Sequence, residues 1–255
     1  FKEAEHFLKF GMTVAFGRSF YYIFEMSDRF FVGRMFGEKL LGYYSFALQL
    51  AHIPTDKIVS VINQVSYSVF SRLQKDEEKF VKFYLDIMKI TAILVFPLFV
   101  GGFLLGEDLI KVVLNEKWYP IISLFKYLCL VQILTSISVV NTTVHRSLGH
   151  PMRGLYYDLA GAVIMPISFY FALQYGFDQV IVPWFTSYVL INVVMIAYTL
   201  NKINIKYMTY LSNLMVPILG TIAMALFIHF SSVVFDLPAV TGADYMHVFL
   251  FKVLI

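Results

Sequence analysis

Charge is what this sequence has least of. Only 15% of its 255 residues are Asp, Glu, Lys or Arg, while 59% are hydrophobic and the mean hydropathy is +0.71. Soluble domains carry about 25% charged and about 45–50% apolar residues. A soluble fold of this length has no interior large enough to hide the surplus, so lipid is the solvent the composition implies. The net charge of +3 is spread along the chain and forms no basic patch, so nucleic acid is not an expected partner. A single cysteine, Cys129, excludes a disulfide framework or a cysteine zinc site within the chain; set in an apolar run, it is expected to be a small buried residue. The histidines, His6, His52, His145, His150, His229 and His247, have no metal-ligand spacing. A phosphate loop with its lysine is missing, and so is a nucleophile elbow. Accordingly no catalytic residue, metal or cofactor is expected. There is no signal peptide. The chain begins at Phe1 and ends in an apolar stretch, 248–255, and is therefore read as part of a longer protein.

Long apolar runs are what it has instead. Asp, Glu, Lys and Arg are missing from 90–106, 127–145, 159–177, 179–201 and 207–235. A membrane helix needs about 20 such residues, and these runs reach that length alone or with their flanks. The last is too long for one span, so an interfacial turn is expected near 207–213, followed by a helix and the start of a loop. Two earlier stretches, 7–32 and 43–71, are apolar but carry charges, and both are read as helices. A further helix begins near Tyr245. The expectation is an all-α integral membrane protein with seven complete helices and a truncated eighth. Runs that are long and do not alternate exclude a β-barrel.

Basic residues orient the chain. With the N-terminus cytoplasmic, the inner loops 71–82, 146–153 and 201–206 hold Arg72, Lys75, Lys79, Lys82, Arg146, Arg153, Lys202 and Lys206. The outer loops 33–42, 106–117, 176–179 and 232–244 hold only Arg34, Lys39, Lys111 and Lys117. The excess on one side supports that orientation. Phe80, Trp118, Tyr119, Tyr156, Tyr175, Trp184 and Tyr210 fall near helix ends and are expected in the interfacial belt.

The costly residues lie in the first two helices. A charge at the bilayer centre costs about 2.5–3.5 kcal/mol, and such residues usually face a bundle interior or a water-filled cavity. Gly11, Arg18, Tyr22, Glu25 and Arg29 share one face of the first helix; Glu25 and Arg29 form an i,i+4 pair, and Asp28 is set to reach a neighbouring helix. On the second helix Ser45, Gln49, His52, Asp56, Ser60, Asn63 and Tyr67 form one polar stripe. Arg18, Glu25, Asp28, Arg29, Gln49, His52, Asp56 and Asn63 are thus the candidate cavity residues. Histidine changes charge near neutral pH, and Asp56 one turn on is placed to tune His52, so pH-dependent transport is expected. Gln132, Ser136 and Thr143 mark the fourth helix. Lys82, Lys89, Arg146 and Asp158 lie within reach of an interface and are expected to be structural.

From Asp28 to Arg72 the chain resembles the polysaccharide flippase family, within the larger group of multidrug, oligosaccharidyl-lipid and polysaccharide exporters. The residues that carry the resemblance are Asp28, Gly33, Gly37, Gly42-Tyr43-Tyr44-Ser45, Ala47, Pro54 and Phe70-Ser71-Arg72-Leu73-Gln74 with Asp76. Phe96-Pro97, Asp108-Leu109-Ile110, Lys117-Trp118 and Gly149 follow in order. One position departs: Asn115 stands where the family leads one to expect glycine, and asparagine tolerates a left-handed turn.

The resemblance implies a MATE-like transporter of about twelve to fourteen helices, two bundles around a central cavity, working by alternating access. Residues 1–200 would be the C-terminal six-helix lobe, and 201–255 two additional helices. The implied substrate is an undecaprenyl-pyrophosphate-linked oligosaccharide, flipped across the bacterial cytoplasmic membrane for surface polysaccharide synthesis. Arg18 and Arg29, with Lys57 as a weaker candidate, would attract its phosphates. The lipid bilayer and other membrane proteins of polysaccharide assembly are the implied partners. The alternatives are a drug/cation antiporter of the same fold, which would favour an acidic cavity, a membrane glycan polymerase or ligase, which would need a large catalytic loop, and a membrane scaffold.

Overall fold

The computed structural model describes the backbone of residues 2–148 and 151–234, and the side chains of 19–148 and 156–230. The helices among these are α1 (Lys2–Pro54), α2 (Ser60–Leu73), α3 (Glu77–Val113), α4 (Ile122–Ser147), α5 (Pro151–Leu173), α6 (Val182–Phe185), α7 (Ser187–Lys202) and α8 (Tyr207–Val234). Among the described residues, five segments are long and apolar enough to cross a membrane: Glu77–Val113, Glu116–Ser147, Tyr156–Leu173, Phe177–Lys202 and Tyr207–Phe230. The protein is an all-helical, multi-pass membrane protein. The helix expected near Tyr245 and the loop at 232–244 lie outside the described residues.

The loop expected at 33–42 is in fact a single-residue break. Gly37 alone leaves helical geometry, at φ 82° and ψ 179°, a conformation that disfavours any side chain. The two arms of α1 fold back on each other there: Gly33 packs on Leu41, and Tyr44 reaches Asp28. A second irregularity follows Pro54. Proline has no N–H to continue the helical ladder. The next turn, Thr55–Val59, widens into a π-helix in which Ser60 N–H donates to the Thr55 carbonyl, five residues back.

Three other expectations are corrected. Residues 207–213 form no interfacial turn. They are the first turns of α8, and the chain reverses just before it at Asn204, whose φ is 56°. Asn115 is not left-handed; at φ −77° and ψ 166° it is extended, so the position makes no demand for glycine. Three of the supposed belt residues are interior instead. Phe80 packs on Phe70, Tyr210 stacks on Tyr84, and Trp184 meets Phe169 and Tyr188 edge-on. Tyr156 and Tyr175 are exposed.

Capping explains where α3 starts. Asp76 accepts the Lys79 N–H at 3.2 Å and its Nζ at 2.7 Å, and Glu77 and Glu78 follow at the positive end of the helix dipole. The Lys79 side chain and amide together hold the Asp76 carboxyl below the usual carboxylate range.

At the centre, α4 packs against α1, α2, α3, α5 and α7, whereas α8 packs on α3 at the edge. That placement follows from composition. On α4 the polar side chains Gln132, Ser136, Asn141 and Thr143 are buried and hydrogen-bonded, so it suits a protein environment on all sides. Cys129 is buried as expected. Arm one of α1 lies closely along α5 because Gly161 has no side chain: a Cβ there would stand 2.8 Å from Phe24 Cδ1.

Gly161→Leu should therefore force α1 off α5 and lower the unfolding free energy by about 1–3 kcal/mol, read by denaturant unfolding in detergent. Gly220→Ala on α8, where a Cβ meets nothing within 4 Å, should leave stability unchanged or slightly raised.

Candidate functional site, a polar cavity between the first two helical arms

A cavity of about 610 Å³ opens between the arms of α1, with α4, α5 and the α6–α7 region forming its other walls. The first arm contributes Tyr21, Phe24, Glu25, Asp28 and Arg29; the second contributes Ser45, Leu48, Gln49, His52, Ile53 and Asp56. From α4 come Gln132, Thr135, Ser138, Val139 and Thr142, and Tyr157, Trp184 and Tyr188 complete the wall.

Six of the candidate residues are thus brought together: Glu25, Asp28, Arg29, Gln49, His52 and Asp56. The Arg18 side chain lies outside the described residues. Asn63 is not among the lining residues; it accepts a hydrogen bond from Thr143 instead. Ser60 and Tyr67 are likewise absent from the wall. The sequence stripe assumed an ideal helix through 45–67. The π-turn at Thr55–Val59 takes up an extra residue, so the residues after it fall out of phase with the stripe before it.

Asp28 anchors the wall. It is buried, and its carboxylate accepts from Tyr44 O–H at 2.7 Å and from the Arg29 amide at 2.6 Å. Tyr44 in turn accepts from Trp184 Nε1 at 3.0 Å. A chain of three side chains therefore ties both arms of α1 to the segment ahead of α7. His52 Nε2 lies 3.2 Å from Asp56 Oδ1, one turn along the same arm. Glu25 and Arg29 are spaced so that they can touch but form no ion pair; Arg29 Nη1 turns to Met26 Sδ at 3.3 Å, and its Nε is buried without a hydrogen-bond partner. Behind the cavity, Thr55 Oγ1 donates to Gln132 Oε1 at 3.0 Å, fixing the π-turn against α4.

Of the α4 and aromatic walls, the sequence pattern marked Gln132 on the fourth helix and placed Trp184 in a belt, and it left Thr135, Ser138, Thr142, Tyr157 and Tyr188 unmarked. Gln132, Thr135, Ser138, Val139 and Thr142 recur at helical spacing and mark one face of α4, so that signal was legible; Ser136 instead bonds back to the Gln132 carbonyl within its own helix. Trp184 gave no signal, because an aromatic near a helix end fits a belt equally well.

Membrane-length helices enclosing a polar, partly charged cavity define a class: a multi-pass helical membrane protein with a polar interior. Residues 1–123 match a family described as polysaccharide biosynthesis protein. The chain is 28% identical over 206 residues to the teichuronic acid biosynthesis protein TuaB of Bacillus subtilis, covering 78% of this chain and 41% of that one. It is 30% identical over 141 residues to the lipopolysaccharide biosynthesis protein WzxC of Escherichia coli, covering 55% of this chain and 26% of that one. The chain thus spans about two fifths or less of the length of these relatives. No solved structure matches. These similarities support the resemblance to the polysaccharide flippase family; the family match lies in residues 1–123, and the similarity to TuaB extends over 78% of the chain.

Removing the Tyr44 hydroxyl takes the hydrogen-bond partner from Asp28 Oδ2 and from Trp184 Nε1, while Asp28 Oδ1 keeps the Arg29 amide. Tyr44→Phe should cost about 1–3 kcal/mol, and a double-mutant cycle with Asp28→Asn should show strong coupling. Additive losses in thermal unfolding would show that the two residues act independently.

Proposed function

We propose that this chain forms the transport lobe and additional helices of a flippase for undecaprenyl-pyrophosphate-linked oligosaccharide repeat units. Residues 1–200 make the lobe, corresponding to family helices seven to twelve, and 201–255 the extra helices. It works in the bacterial cytoplasmic membrane with residue 1 on the cytoplasmic side, by alternating access and without catalysis. The observation that carries the reading is Arg29, a cavity-wall guanidinium whose buried Nε has no hydrogen-bond partner. Buried donors are nearly always satisfied, so this one is available to an acceptor that the cavity admits. Phosphate and acidic sugars are such acceptors. The rest of the wall suits a glycan: Trp184, Tyr157 and Tyr188 offer aromatic faces with polar tips, and Gln49, Gln132, Thr135 and Thr142 offer groups for sugar hydroxyls.

The lining itself favours a second reading. Glu25, Asp28 and Asp56 outnumber Arg29 among its described acidic and basic groups, and an acidic cavity suits a drug/cation antiporter of the same fold. Two of these carboxylates are engaged, Asp28 by Tyr44 and Asp56 by His52, which reduces their hold on a cation. Resistance to cationic drugs without any effect on surface glycan, on expressing the full-length protein, would decide for the antiporter.

A charge-assisted hydrogen bond is worth about 1.5–3 kcal/mol, roughly ten- to a hundredfold in binding. Arg29→Gln should lower surface polysaccharide accordingly at matched protein level, measured by gel and immunoblot of whole cells; full export would defeat the phosphate role. His52 faces Glu25, Asp28 and Arg29 across the cavity and Asp56 on its own arm. The pH dependence of flipping in vesicles should flatten in His52→Ala, and an unaltered profile would remove His52 from the mechanism.

A further inference from the structure

Around the π-turn that breaks the polar stripe, the residues come in like pairs. Ile58-Val59, Val61-Ile62 and Asn63-Gln64 each set two side chains of similar character next to each other. One residue is about 100° of helical rotation. A slip of this segment by one residue therefore moves Ile58 to the seat of Val59, Val61 to that of Ile62 and Asn63 to that of Gln64. Val59 is buried and Ile62 packs against the core, so both apolar seats keep a β-branched side chain of nearly the same volume. Gln64 is exposed, and its seat keeps an amide.

Few bonds hold the present register. Ser60 Oγ donates to the Asp56 carbonyl within the turn. Thr143 Oγ1 donates to Asn63 Oδ1, but the same hydroxyl lies 2.9 Å from the Val139 carbonyl and keeps that acceptor when Asn63 leaves. Thr55, bonded to Gln132 at 3.0 Å, stands ahead of the surplus residue and is not displaced. At the far end Phe70 is buried against Phe80 and Phe83. Between these fixed points the surplus residue can pass along the helix, each step exchanging one i→i+4 backbone bond for an i→i+5 bond. Lys57, Val61 and Gln64 are exposed and put no packed side chain in the way.

We propose that the π-turn is a movable register switch. It stands at Thr55–Val59 in one state and nearer Phe70 in the other, and the residues between slip by one. In the present register Val61, 58% exposed, occupies the line that runs on from Gln49, His52 and Asp56 and interrupts it with an apolar side chain. In the second register Ser60 takes that place and Asn63 follows one turn on. The polar face then continues from the cavity along α2 without a break. The switch closes and opens a polar track whatever the guest, so it does not depend on the proposed substrate.

Disulfide trapping reads the register in the full-length protein, reconstituted in vesicles and freed of its native cysteines. Asn63→Cys with Thr143→Cys reports the present register, and Ile62→Cys with Thr143→Cys the slipped one. Both pairs should close on oxidation, the second roughly ten- to a hundredfold more slowly for a slipped state populated at about 1–10%. Gln64→Cys with Thr143→Cys needs a slip the other way and should stay open. Deleting Lys57 removes the surplus residue and leaves an ordinary helix with nothing to pass along. That deletion should keep the disulfide from position 63 and abolish the one from position 62, whereas Lys57→Ala should keep both. Three outcomes would each overturn the inference: no disulfide from position 62 in the undeleted chain, equal yields from positions 62 and 64, or a disulfide from position 62 that survives the deletion. The first two need no deletion variant, so they decide the matter even where that variant fails to fold.

Discussion

Hydrocarbon offers no hydrogen bonds, so every polar atom on a membrane-embedded helix must find its partner inside the protein or in water the protein admits. The buried carboxylate of Asp28 is the sharpest case. Its position is made tolerable by Tyr44 on the returning arm of α1, and Tyr44 is held by Trp184 from the α6 segment far along the sequence. Those contacts require the chain to reverse within one residue, which only the φ of Gly37 allows. The fold-back in turn sets the two polar arms face to face and leaves a cavity between them.

The same constraint sorts the remaining polar groups. Side chains on α4 that bond back to their own helix, such as Ser136 and Asn141, cost little in a packed interior. Others are paired across helices: Tyr84 with Asn141, Thr55 with Gln132, and Asn213 of α8 with the Leu85 carbonyl. Those left to the cavity are of another kind. They are charged or amide groups on α1 with few protein partners, faced by hydroxyls and aromatic rings. A wall that mixes aromatic faces, hydroxyls and a guanidinium whose Nε has no hydrogen-bond partner differs in kind from the packed interior around it.

Irregular helix geometry does as much as composition in this design. The π-turn after Pro54 separates a cavity-lining half of the polar stripe from a half that is packed or exposed. An i, i+4 spacing rule cannot see such a turn, because the extra residue changes phase without changing composition. That is why Gln49, His52 and Asp56 were legible as a group while Asn63 was wrongly joined to them.

The amino-acid sequence by itself determined the solvent, the helical class, the positions of the long apolar runs and the concentration of costly polar groups in the first two arms. These depend on transfer free energies that accumulate residue by residue, so they can be summed along the chain. It also carried the family resemblance, through residues such as Asp28, Gly37 and Tyr44 whose joint purpose is clear only once folded. Tertiary structure alone decided that Trp184 lines the cavity and bonds Tyr44, and that Arg29 turns to Met26 and not to Glu25. Each of these is a relation between segments brought together by packing, and side-chain partners across helices are set by distance in space, which spacing along a chain does not encode.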